Sequence, residues 1–110
     1  MEIERTAHGS ATVLRCQGRL TMTSASRLRE AVDQAVQDGR HRLVADLAET
    51  EFVDSSGLGA LVSGLKRARQ CGGDLRIAAP VEQVRTVLSL TNLDRVLRPY
   101  PTVEDATRDW

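Results

Sequence analysis

EFVDSSGLGALVSGLK, residues 51–66, holds an apolar pair that stops at an aspartate, two serines and a glycine, then resumes at helical spacing. A chain needs such a stretch where a buried strand turns sharply into a helix. Phe52 and Val53 read as the end of a strand returning to the core. Leu58, Leu61, Val62, Leu65 and Ala68 recur at three- and four-residue steps and form one helical stripe. The residues between them have to start the helix. Asp54 is a good N-cap, and Ser55 or Ser56 would serve nearly as well; one cap suffices and stabilises by about 1 kcal/mol. Gly57 and Gly59 each cost up to about 1 kcal/mol relative to alanine inside a helix. A first turn weakened in this way is expected to keep its backbone bare and approachable.

Working outward, residues 2–7 and 11–17 read as two strands joined by a turn at His8-Gly9-Ser10, with Ile3, Val13 and Cys16 inward. From Thr23 the period becomes helical through Ala25, Leu28, Val32, Ala35 and Val36, with Thr23 or Ser24 as cap and Gly39 as a left-handed stop. LVADL (43–47) is apolar on both faces, as a covered strand requires. Gly72-Gly73 turns the chain into a further strand, LRIAA (75–79), closed by Pro80. VEQVRTVLSL (81–90) is a helix with Val81, Val84, Val87 and Leu88 inward, and RVLR (95–98) reads as a short strand. Thr102 opens a last helix carrying Val103, Ala106 and Trp110. A hairpin followed by alternating helix and strand predicts the α/β class: a small mixed β-sheet with helices packed against it.

Length and composition narrow the function. A chain of 110 residues with 41% apolar residues predicts one ordered domain, residues 1–110. Phe, Tyr and Trp occur once each, so the core is aliphatic and base-stacking surfaces are not expected. Lys plus Arg and Asp plus Glu balance at 15 each, which leaves no long-range field for nucleic acid or anionic lipid. The runs RLRE (27–30) and KRARQ (66–70) read as solvated helix faces. Cys16 and Cys71 lie far apart, with no C-x-x-C and no histidine at ligand spacing. They read as buried or idle thiols of a reducing cytosol, the alternative being a redox-responsive Cys71 before Gly72-Gly73. No leading apolar segment occurs, nor a run near the about 20 residues that span a bilayer, so a soluble cytoplasmic protein without membrane partners is expected.

Catalytic motifs do not fit the serine turn. A nucleophile elbow needs glycine where Val53 stands relative to Ser55, and His8 and His41 are remote in sequence. Leu65-Lys66-Arg67 lacks the Gly-Lys-Ser/Thr of a phosphate loop, and Gly57-x-Gly59 lacks the third glycine of a dinucleotide site. No enzyme, cofactor or metal is expected. What remains is a serine on an exposed turn at a helix start, suited to accept a phosphoryl group from another protein. Such a group adds about 1.5 to 2 negative charges and could release a bound partner without refolding the domain.

Asp54-Ser55-Ser56-Gly57-Leu58-Gly59, preceded by the strand at 43–47 and followed by Lys66, resembles the signature of bacterial anti-sigma factor antagonists, the single-domain members of the STAS superfamily. The resemblance extends from about Ile3 to Ala106 and includes Gly72-Gly73 and the turn at Asn92–Leu97. It implies a STAS-like fold and Ser55 as the phosphorylated serine. The implied partners are an anti-sigma factor that is itself a serine kinase, and a serine phosphatase. It further implies partner contacts from Arg19, Thr21, Thr23 and Ser24 on the loop before the first helix, and from Asp54, Ser56, Gly57 and Leu58 at the serine turn. The family often has acidic residues where this chain has Arg19 and Thr21, one of them reversed in charge. The alternative is a STAS interaction module of a stress-signalling complex or a lipid-transport ATPase.

Overall fold

The computed structural model describes residues 1–110. Two strands open the chain, β1 (Glu2–His8) and β2 (Ala11–Leu20), followed by helix α1 (Ala25–Gln37) and strands β3 (Arg42–Asp46) and β4 (Thr50–Val53). Helix α2 (Ser55–Gln70), β5 (Asp74–Ala78), α3 (Glu82–Leu90), a 3-10 turn (Leu93–Arg95), β6 (Pro99–Tyr100) and α4 (Val103–Thr107) complete it. The sheet runs β1-β2-β3-β5-β6, and β4 pairs with β2. β1 and β2 are antiparallel, with Ile3 opposite Cys16; the other pairs are parallel. This is the mixed sheet with packed helices that the pattern predicts.

Alternation along the strands builds two layers. Leu14 and Cys16 of β2, Leu43 and Ala45 of β3, and Leu75 and Ile77 of β5 face Leu28 and Val32 of α1, Leu61 and Leu65 of α2, and Val84 and Leu88 of α3. The intervening Val13, Val44 and Ala78 face the opposite side, where Ala106 of α4 covers them. Arg76 fastens α4 there. Its guanidinium lies 4.0 Å from the Trp110 ring centroid and donates to the Ala106 carbonyl at 2.7 Å and to Asp109 Oδ1 at 2.6 Å. That donation holds the Asp109 carboxyl below its usual pKa range.

Local chemistry explains where elements stop. Gly39 ends α1 at φ +80°, with Gly39 N–H bonded to Val36 O and Arg40 N–H to Ala35 O, a closed left-handed terminus. Thr102 caps α4 by accepting from Asp105 N–H. Three expectations need correction. Residues 95–98 are not a strand: the 3-10 turn ends at Arg95, and the pairing segment is Pro99–Tyr100. Pro99 fits there because β6 is the sheet edge and a proline has no N–H to give. Phe52 is half-buried beneath Arg19 rather than in the core. Ser24 occupies the start of α1 but makes no capping bond; its hydroxyl donates to Arg19 O instead.

The two thiols differ in chemistry. Cys16 is fully buried, and desolvation pushes its pKa up to about 12 from the ordinary 9.0. The raised value means that Cys16 leaves stability untouched below about pH 9 and lowers it as pH rises from there toward 12. Cys71 is half-buried, with Arg67 Nη1 3.5 Å from its sulfur. A thiol reagent at pH 7.5 should therefore label Cys71 in the native chain and Cys16 only after denaturant is added. Fast native labelling of both, read by mass spectrometry, would contradict this packing.

Candidate functional site

Asp54 organises the serine turn. It stands in extended conformation at the start of α2, and its Oδ1 accepts from Gly57 N–H at 2.9 Å, while its main-chain carbonyl accepts from Leu58 N–H. Asp54 is therefore the cap, which leaves both serine hydroxyls free of that task. Ser55, the first residue of α2, is exposed; Ser56 is half-buried.

The second carboxylate oxygen of Asp54 reaches across the fold. Oδ2 accepts from Met22 N–H at 3.2 Å, so one side chain ties the β2–α1 loop to the start of α2. The loop is braced from below. The Ser24 hydroxyl donates to Arg19 O at 2.6 Å and accepts from Thr21 N–H at 3.0 Å. Thr21 O accepts from Ser24 and Ala25 N–H groups, and the Thr21 and Thr23 hydroxyls lie 3.2 Å apart.

The close approach of β2 to α2 explains Gly57. A Cβ there would stand 2.2 Å from Leu20 O and 2.8 Å from Val53 Cγ2. Gly57 is buried, so it serves packing rather than the approachable backbone expected of it. That expectation holds at exposed Gly59, where a Cβ would meet only Arg29 Nη2 at 3.7 Å.

The structure brings the named loop and serine-turn residues to one end of the molecule with different degrees of access. Thr23 is exposed, while Thr21, Asp54 and Ser56 are half-buried. Ser24, Gly57 and Leu58 are buried. Arg19 is exposed, but it alternates with Leu20, whose side chain faces α2, so Arg19 projects from the other side of β2. There its guanidinium lies 4.5 Å from the Phe52 ring centroid, a cation–π contact. Ser55 also opens a groove of about 440 Å³ lined by Leu58, Gly59, Val62, Ser63, Lys66 and Leu93.

Two residues at this end escaped sequence reasoning. Gln83 of α3 accepts from Val53 N–H at 3.0 Å and donates to Val53 O at 3.2 Å, a two-bond clamp on the residue before Asp54. A separation of 30 residues left it no local signal. Met22 is 76% exposed. A large apolar residue within the polar run Thr21–Ser24 was the signal that could have found it. No three His, Cys, Asp or Glu side chains converge as metal ligands, and no helix is long and apolar enough to cross a membrane.

Known proteins resemble this chain in sequence and in overall fold. A Thermotoga maritima protein provisionally described as an anti-sigma factor antagonist is 36% identical over 77 residues, 70% of this chain and 68% of its own. A crystal structure from the same organism, with the same provisional description, has a TM-score of 0.90 at 30% identity and covers 97% of this chain and 92% of that one. The anti-sigma-F factor antagonist RsfB of Mycobacterium tuberculosis is 30% identical over 99 residues, 90% of this chain and 80% of RsfB. SpoIIAA of Bacillus in its phosphorylated form has a TM-score of 0.73 at 19% identity over 97% of each chain, a likeness of fold alone. The family model of the STAS domain matches residues 2–106. By that match and these relatives, the chain belongs to the STAS domain family.

Proposed function

We propose that this chain is an anti-sigma factor antagonist, a binding module rather than an enzyme. Unmodified, it binds an anti-sigma factor that is also a serine kinase, and a sigma factor is thereby freed. Phosphorylation of Ser55 by that kinase ends the binding, and a serine phosphatase restores it. The observation that carries this reading is exposed Ser55 at the first position of a helix whose cap is already supplied by Asp54. A serine with no structural duty, open to solvent, is available to a kinase. The antagonist relatives support the partner class.

The electrostatics fit a switch at an interface. A phosphate on Ser55 is favoured by the helix start by about 0.3–1 kcal/mol and opposed by neighbouring Asp54 through like charge. Inside the domain these terms nearly offset. Against a bound protein, desolvating an unpaired dianion costs several kcal/mol, and each 1.4 kcal/mol is tenfold in affinity. Incubation with the cognate kinase and ATP should label the wild type and leave Ser55→Ala unlabelled. Label that moves wholly to Ser56 in the wild type would reject the assignment.

A further inference from the structure

We propose that Met22 is the apolar anchor of the partner interface, held in register with Ser55 by the Asp54 carboxylate. This rests on the anti-sigma factor being the partner. An exposed apolar side chain by itself needs no explanation. What distinguishes Met22 is the backbone that carries it. Its N–H is fixed to Asp54 Oδ2, the neighbouring Thr21 N–H to the Ser24 hydroxyl, and that hydroxyl to Arg19 O. An unbranched thioether on a pinned backbone adapts to a socket while little main-chain freedom is lost on binding.

Geometry links the anchor to the switch. The carboxylate that holds Met22 N–H also caps α2 through Gly57 N–H, so one side chain ties the loop that carries Met22 to the helix start that carries Ser55. Ser55 further borders the groove at Leu58, Val62 and Leu93. A kinase that reaches the Ser55 hydroxyl therefore meets apolar surface close by, and the occupant is an anti-sigma factor offering an apolar socket to the thioether. A phosphate on Ser55 would then stand at the border of a dry contact, where its desolvation is least compensated.

Titration calorimetry of the purified anti-sigma factor against the full chain tests this. Met22→Ala should weaken binding about tenfold or more, Met22→Glu further, and Met22→Leu should restore it to within about threefold of wild type. Asp54→Asn leaves one acceptor oxygen for two N–H donors and should also weaken binding. The Met22 variants should unfold at the wild-type temperature, since the side chain lies outside the core. In kinase assays, Met22→Ala should raise KM for the antagonist more than it lowers kcat. If the wild type binds and Met22→Ala and Met22→Glu bind within about twofold of it, the anchor is refuted and the proposed function stands. A wild type that does not bind the anti-sigma factor removes both. A Met22 variant that alters self-association in sedimentation while its anti-sigma factor affinity is unchanged would make Met22 a contact between copies, and also refutes the anchor.

Discussion

Gly57→Ala is expected to destabilise the fold by about 2 kcal/mol, whereas Gly59→Ala, two residues on in the same helix, is expected to stabilise it. At Gly57 the new methyl group would stand 2.2 Å from Leu20 O and 2.8 Å from Val53 Cγ2. The first of these is backbone, held in β2 against β4, and it also accepts from Asp54 N–H. Relief requires α2 to lift from the sheet end. Overpacking of this kind costs about 1–3 kcal/mol, and a backbone obstacle belongs at the upper end; alanine's better helix propensity returns about 1 kcal/mol. A net loss of about 2 kcal/mol corresponds to a fall of about 8–16 °C in the thermal midpoint of a domain this size. At Gly59 the only neighbour is the tip of Arg29 at 3.7 Å, so the propensity gain remains, about 1 kcal/mol at most. Calorimetric melting of both variants decides the matter. Equal effects would mean that β2 and α2 are not packed as described.

Ser55→Asp is expected to lower affinity for the anti-sigma factor by at least about 100-fold, or 2.7 kcal/mol, while leaving the fold intact. Ser55 is the first residue of α2, where a carboxylate is favoured by about 0.3–1 kcal/mol. Asp54 alongside opposes it, but its two oxygens already accept from Gly57 and Met22 N–H groups, which offset part of its charge. The two effects leave stability within about 0.5 kcal/mol, a midpoint shift of no more than about 4 °C. At the partner surface nothing in this chain supplies the opposite compensation, so the buried charge weakens the complex. Tight binding by Ser55→Asp would show that charge is not what releases the partner. A steep loss of stability would show that the serine is chiefly structural.

Features governed by neighbouring residues were legible in the sequence. The Asp54 cap, the Gly39 terminus and the Thr102 cap each depend on a side chain or φ angle within a few residues of where it acts. The strand at 43–47 announced its two covered faces by composition, and Leu43–Ala45 are buried on both. Features set by distant partners were not legible. Phe52 reads as core because it is aromatic beside Val53, yet β4 meets only the end of β2 there, and Arg19 covers the ring. Val96 and Leu97 suggested a strand, but Leu97 alone is buried while the chain leaves the 3-10 turn, and pairing waits until Pro99. Gly57 reads as a weak helix residue; the carbonyl that demands it lies on β2, 37 positions earlier in the chain at Leu20. The Met22–Asp54 tie spans 32 residues and leaves no trace in local pattern.

The clamp of Gln83 on Val53 has a bearing on how any protein can be recognised at this end. At Val53 the outward main-chain donor and acceptor of β4 are both occupied by one side-chain amide, as if a strand one residue long had been laid beside it. An incoming polypeptide therefore cannot graft itself onto the sheet at that residue by β-augmentation. At that residue a protein docking beside Ser55 meets a side chain instead of a free strand edge, and recognition read from side chains is open to cancellation by chemistry at a lone hydroxyl.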